Sequence, residues 1–151
     1  MPRLLFSFIS VLRAYGVSAL LLCASAHGQD SWLTLVGYPN DSQSDVIEAD
    51  PLSRSITPNG PTLEIRVSRA MLRTSTEGIP FRSYTATVLV DCAAKTARFV
   101  AASFYLMPLW EGKSHRTLVY APTEIRPLLF RFFDPNPLLR IVAATCTQAP
   151  R

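Results

Sequence analysis

Histidine and cysteine are both scarce in this chain, and their scarcity limits the chemistry that it can perform. Only two histidines and three cysteines occur among 151 residues. No Cys-x-x-Cys or His-x-x-x-His pair is present, so the sequence contains none of the closely spaced ligands that are typical of zinc sites. We therefore expect no metal ion and no other cofactor.

Charged residues are also few, at 17% of the chain, and the formal net charge is +4. Loss of Arg3 and Arg13 with an N-terminal segment would leave +2, because no other charged residue precedes position 27. So small a positive charge does not favour nucleic acid as a partner.

A catalytic constellation is not visible either. The carboxylates Asp50, Asp91, Glu124 and Asp134 are scattered, and none is paired with a serine or histidine at a readable spacing. Carboxylates that are distant in sequence can still meet in a fold. A small periplasmic enzyme or enzyme accessory therefore stays as the alternative to a non-enzymatic binding module.

The first 26 residues have the pattern of a secretory signal peptide. An apolar core, GVSALLLCASA, follows Arg3 and Arg13, and Ala24-Ser25-Ala26 supplies small residues for cleavage. Cleavage there would leave a mature domain of residues 27–151 without a membrane span. The expected location is the periplasm, the cell surface or the medium.

Two other interpretations of this segment are weaker. An uncleaved anchor would place Arg13 inside the apolar span, where a charge is costly. A lipoprotein would be modified at Cys23, but the bulky Leu22 stands where a small residue is preferred.

His27 at a mature N-terminus could chelate copper, yet no second histidine is placed to complete such a site.

The mature region alternates apolar and polar residues in several segments that are separated by turn residues. Such alternation is typical of half-buried antiparallel strands. It is clearest in FRSYTATVLVDC, where it places Cys92 on the apolar, inward face. Asp50-Pro51 and the segment 56–61 are predicted turns. The predicted strands are 31–36, 62–72, 81–92, 97–106 and 116–121, with a short apolar pair at Val46-Ile47.

The C-terminal segment instead predicts a helix. Asn136 is a favourable N-cap and Pro137 suits the first helical position. Apolar or small residues then recur at helical spacing at Leu138, Ile141, Val142 and Thr145. The predicted fold is therefore α+β, with a single antiparallel sheet of about five to six strands and a C-terminal helix packed on one face.

Cys92 and Cys146 remain after cleavage, in a chain that we expect to enter an oxidising compartment. Paired structural disulfides are the rule there, and this pair would pin the helix to the sheet. The chain-entropy model values such a cross-link at about 4 kcal/mol. A catalytic cysteine would need a histidine base, and the candidates are only His27 and the loop residue His115.

These segments together resemble the surface-adhesin protein E family of small exported Gram-negative proteins. The matching features are an early Trp32, DPLSRSI, FRSYTATVLVDC, ARFVAASFY and a terminal helix that ends in Cys146. The resemblance covers most of residues 31–146. It implies a sheet with a helix packed on it, a Cys92–Cys146 bridge, binding of host matrix or envelope proteins, and homodimerisation through the sheet.

Five residues are candidates for partner binding. Arg66, Arg82 and Arg98 lie on central strands, and the first two would form a patch for acidic partners if they share a face. The alternative is a solvated face in which arginines pair with Glu64 or Glu77 on neighbouring strands. Tyr105 and Trp110, with Phe104, would form an exposed apolar patch or else cap the core.

The run LLFRFF, residues 128–133, would show apolar side chains on both faces if it formed a strand. An edge strand of this kind would support dimerisation by strand addition. The alternative is a segment buried between the sheet and the helix.

Overall fold

The computed structural model describes residues 31–131 and 133–147. The signal peptide, Cys23, His27 and Phe132 lie outside the described residues. Within these ranges the chain forms six strands and one α-helix, and the expected α+β class with one antiparallel sheet is confirmed. The strands are β1 Leu33–Val36, β2 Val46–Thr57, β3 Gly60–Thr74, β4 Pro80–Asp91, β5 Thr96–Tyr105 and β6 Arg116–Val119, and the helix is α1 Pro137–Cys146.

The sheet is a meander in which every strand pairs antiparallel with the strand that follows it, in the order β1-β2-β3-β4-β5-β6. Because side chains alternate along a strand, neighbouring strands in register present one apolar and one polar face. Ile65 lies opposite Ala49 on β2 and Ala86 on β4, and all three are buried. We call this apolar side the helix face and the other side the outer face.

Strand β2 differs from the prediction. Asp50-Pro51 was expected to turn the chain, but β2 continues to Thr57. Asp50 pairs with Glu64 and Ser55 with Thr62, so residues 51–54 form a bulge in the strand. The turn chemistry is present, since the Asp50 carboxylate accepts from Leu52 N at 2.9 Å. This local turn bends the strand but does not end it, because β2 pairs with β3 again from Ser55 onward.

Helix α1 closes the apolar side, as predicted. The Asn136 side chain accepts from Leu138 N at 3.0 Å and caps the first turn. Ile141, Val142 and Thr145 are buried and face the core, and Leu138 is partly buried against it.

Cys92 and Cys146 form a disulfide with a Cα–Cα distance of 5.8 Å. Cys92 is nevertheless exposed, which corrects its predicted inward placement. Strand β4 ends at Asp91, whose carboxylate accepts from the backbone N–H groups of Ala93 and Ala94 at 3.0 and 2.9 Å. The chain therefore turns at Cys92, and the bridge reaches the end of α1 from the rim of the sheet.

The described part of residues 128–133 forms no strand, so of the two alternatives the edge strand is wrong there. The segment crosses the start of β5, where Leu128 N donates to Ala97 O at 2.8 Å. Leu128 and Phe130 are buried in the core, whereas Leu129 points outward. The segment therefore covers part of the core next to α1. Its side chains alternate between the core and the surface.

Within the described ranges, no helix has both the length and the apolar character needed to cross a membrane.

Candidate functional site

The outer face carries a cluster that we call the tryptophan clamp, formed by Trp32, Glu48, Arg66 and Trp110. The Arg66 guanidinium lies between the two indole rings, with its Cζ atom 4.3 Å from each ring centroid. Its Nε donates to the Glu48 carboxylate at 2.6 Å, and Thr34 Oγ1 donates to the same carboxylate at 3.1 Å. Glu48 is only 2% exposed although it is charged. A planar cation between two rings suits arginine specifically.

The register explains why Arg66 meets Glu48 and not the predicted Glu64. Arg66 on β3 lies directly opposite Glu48 on β2, whereas Glu64 is on Arg66's own strand. Opposed side chains on one face are within contact distance. Glu64 is exposed and accepts from Thr87 Oγ1 at 3.3 Å.

Two buried serines hold Trp110 in the clamp. Trp110 closes a short 3-10 turn, Pro108–Trp110, and both Leu109 and Trp110 have positive φ, at 53° and 60°. Few non-glycine residues adopt this conformation. Hydrogen bonds offset its cost, because Leu109 N donates to Ser68 Oγ and Trp110 N to Ser83 Oγ, each at 3.0 Å.

Ser83 Oγ also donates to Met107 O at 2.7 Å, and Trp110 Nε1 donates to Tyr84 O at 3.0 Å. Ser83, a polar position of the alternating segment 81–92, lies on the face opposite the core and is fully buried there under the turn. Trp110 is partly buried on this outer face, whereas Phe104 belongs to the core on the helix face. Trp110 therefore forms neither an exposed patch with Phe104 nor a cap on that core.

The other predicted binding residues lie apart from the clamp. Arg82 donates to the backbone carbonyls of Arg69 and Ser42, each at 3.0 Å, and so ties a loop to β3. Arg98 lines a depression of about 590 Å³ beside the disulfide, at the end of the sheet where Asn59 and Cys92 lie. Tyr105 on β5 is half-buried and lies opposite Ser83 on β4. The exposed apolar residues next to Tyr105 in the chain are Leu106 and Met107. Phe104 is buried in the core, so it does not join them.

A second concave site lies on the helix face, and sequence reasoning missed it. We call this cleft of about 600 Å³ the aromatic cleft. Its walls come from strands β3 to β5, the turn after β3 and the segment 125–133. The aromatic residues that line it are Phe81, Tyr84, Phe99, Phe104, Tyr120 and Phe133.

Five of the six rings form one connected set, and Phe133 instead contacts Phe130 at 6.2 Å. Tyr84 contacts Phe81, Phe99 and Phe104 with centroid distances of 5.6, 5.9 and 6.0 Å, and Phe99 contacts Tyr120 at 6.3 Å. Tilted and edge-on contacts at such distances are favourable. The ring orientations are therefore fixed by neighbouring rings, and the apolar surface of the cleft is preformed.

Charged groups stand around this apolar surface. Arg69 Nη1 binds the Asp45 carboxylate at 2.8 Å, and its guanidinium lies 5.2 Å from the Phe133 ring. Arg126 binds Glu124 at 2.7 Å and approaches Glu77 at 3.6 Å. Arg131 is exposed and makes no hydrogen bond or ion pair with another residue that the structure describes.

The ionisable groups of the cleft have shifted pKa values. Burial raises the pKa of Tyr84 above its ordinary value of 10.0, against the opposing charge of Arg69. Burial also raises the pKa of Tyr120, and the neighbouring Glu77 carboxylate raises it further. For Glu77 itself, burial raises the pKa, but hydrogen bonds with Ser75 and Thr76 outweigh it and the net pKa is lowered from 4.5.

The four carboxylates on which the alternative enzyme hypothesis depends lie in different segments of the fold. Asp50 and Asp91 hold backbone N–H groups in the β2 bulge and the β4–β5 turn. Glu124 binds Arg126, and Asp134 precedes Pro135 in a cis peptide bond. Among the described residues, no three histidine, cysteine or acidic side chains come together as a metal-binding group.

No protein-family model matches the chain, and neither a curated protein nor a solved structure shows significant similarity to it.

Proposed function

We propose that the chain is an exported, non-enzymatic binding module that is stabilised by its disulfide and accepts an apolar group of its ligand in the aromatic cleft. The observation that carries this proposal is a cleft of about 600 Å³ lined by six aromatic rings, five of which hold one another in place. Concave apolar sites of several hundred Å³ with a few polar groups are typical of ligand-binding sites. The resemblance to surface-adhesin protein E agrees with a binding role.

The cleft is concave and contains titratable groups, which is also what the enzyme alternative requires. The directions of the pKa shifts favour binding. A general acid or base works best with a pKa near the operating pH. The pKa of Glu77 is lowered, and those of Tyr84 and Tyr120 are raised, so all three move away from neutrality. Near pH 7 they act as a fixed carboxylate and two hydroxyl groups.

A neutral fluorescent probe, N-phenylnaphthylamine, tests the proposal on the protein with its disulfide intact. Leu129 lines the cleft and is 52% exposed, so Leu129→Asp places a charge there without removing a core residue. Leu139 on α1 is 59% exposed and does not line the cleft, so Leu139→Asp is the matched control.

We expect Leu129→Asp to weaken probe binding by roughly tenfold or more, because burying a charge in an apolar site is costly. Leu139→Asp should bind the probe like the wild type. Equal probe affinities of the two variants, or no probe binding by the wild type, would overturn the proposal.

Protein binding, as the resemblance implies, is a second candidate function. The observation that favours it is the adjacent pair Leu106 and Met107, which are 50% and 52% exposed at the end of β5. Exposed neighbouring apolar residues often mark contact surfaces. Met107→Glu should abolish capture of a host matrix or envelope protein, whereas Leu52→Glu in the β2 bulge should not. Equal capture by both variants would remove this surface from consideration.

A further inference from the structure

We infer that the aromatic cleft selects an amphipathic carboxylate, with the apolar body of the ligand among the rings and its carboxylate at the arginines that line the cleft. This inference rests on the proposed function and specifies the ligand class for the same site. Three observations carry it: the balance of charge in the cleft lining, and, among the described residues, a buried donor without an acceptor and an exposed arginine without a partner.

The charge balance of the lining is positive. Arg69, Arg126 and Arg131 line the cleft, and Glu77 is the one acidic residue among its described lining residues. A concave apolar site with low-dielectric walls strengthens the attraction that such cations exert on an anion. Asp45 and Glu124 already pair with Arg69 and Arg126, so a cationic ligand would be opposed chiefly by Arg131. A neutral ligand would leave Arg131 without an added contact.

The arginines are not equally satisfied. Arg126 is held by Glu124 and by Glu77, so most of its charge is already matched. Arg69 is bound to Asp45 through Nη1, but its Nε atom is buried without a hydrogen-bond partner among the described residues. A buried donor that lacks an acceptor is uncommon in a folded protein. A carboxylate bound beside Arg69 in the cleft would supply an acceptor once the guanidinium rotates to expose this atom.

Arg131 is the second unmatched cation. It follows the buried Phe130 in the segment that borders the cleft, and its side chain is exposed there. Guanidinium groups bind carboxylates through charge-assisted hydrogen bonds. Arg69 lies over the Phe133 ring at 5.2 Å, so a cation and an apolar surface already meet in the lining of the cleft.

A matched series of ligands separates charge from apolar contact. Naphthoate, naphthylmethanol and naphthylmethylammonium share one aromatic body and differ in the charge of one substituent. Displacement of N-phenylnaphthylamine gives their affinities for the protein with its disulfide intact. We expect naphthoate to bind roughly tenfold more tightly than the alcohol, and the ammonium compound to bind most weakly.

Arg131→Gln should reduce the affinity for naphthoate to that for the alcohol and leave the affinity for the alcohol unchanged. Arg116→Gln is the control, because Arg116 is also exposed but lies at the start of β6, away from the lining of the cleft. Both variants lose the same charge, so a long-range effect of net charge would appear in both.

The outcomes distinguish this inference from the proposed function. Equal affinities for naphthoate and naphthylmethanol would overturn the carboxylate assignment and leave the apolar cleft standing. Equal losses in Arg131→Gln and Arg116→Gln would also overturn it. If none of the three compounds displaces the probe, the ligand assignment fails, and if the probe itself does not bind, the proposed function fails.

Discussion

Replacing Glu48 by glutamine tests whether the tryptophan clamp stabilises the fold. The variant keeps the shape of the side chain and removes its charge. Glu48 is 2% exposed and its carboxylate accepts from Arg66 Nε at 2.6 Å and from Thr34 at 3.1 Å. Because this buried ion pair is broken from one side only, we expect the free energy of unfolding to fall by about 3 kcal/mol.

The chain is well suited to the measurement, because its two tryptophans are both in the clamp. Urea denaturation followed by tryptophan fluorescence therefore reports on this cluster directly, and circular dichroism reports on the whole sheet. The two signals should give one transition if the clamp unfolds together with the sheet.

Glu64→Gln is the matched control. Glu64 lies on the same face of the sheet but is exposed, so its substitution should change the free energy of unfolding by about 0.5 kcal/mol or less. A loss below about 1 kcal/mol in Glu48→Gln, or equal losses in both variants, would refute the argument that burial makes this pair important.

The disulfide, the buried serine and the titration of the cleft give three further predictions. Replacing Cys92 and Cys146 together by serine should lower the free energy of unfolding by about 4 kcal/mol, since the bridge joins residues 54 apart. Urea denaturation measures this loss, and a value below about 1 kcal/mol would contradict it. Ser83→Ala should cost about 2 kcal/mol and alter tryptophan fluorescence, because Trp110 N and Met107 O lose a buried partner; unchanged fluorescence would contradict this. Stability from Glu77 is present above pH 4.5 and is lost as the pH falls through its lower folded pKa, so Glu77→Gln should flatten the acid limb of the stability curve. An acid limb identical to that of the wild type would count against the shift.

The sequence alone determined the elements whose signals are local. Alternation in residues 62–72 and 81–92 placed two central strands, and Asn136 with Pro137 marked the start of the helix. The pairing of Cys92 with Cys146 followed from their number and from the elements that they terminate. Each of these inferences depends on period, capping chemistry or residue count, which need no knowledge of distant neighbours.

Only the tertiary structure decided what lies on each face of the sheet. Ser68 and Ser83 read as surface residues of alternating strands, yet both are buried, because the distant Pro108–Trp110 turn folds over them. Arg66 meets Glu48 because of the strand register, which the alternation of a single strand does not fix.

The aromatic cleft also exists only because distant segments pack together. Its rings come from β4, β5 and the segments after β5, and no motif in the sequence joins them. The segment 128–133 shows why, since its apolar run was consistent with a two-sided strand. In the fold, Leu128 and Phe130 enter the core while Leu129 borders the cleft. Local patterns determine which residues avoid water, but the packing of distant segments decides which surfaces they leave open.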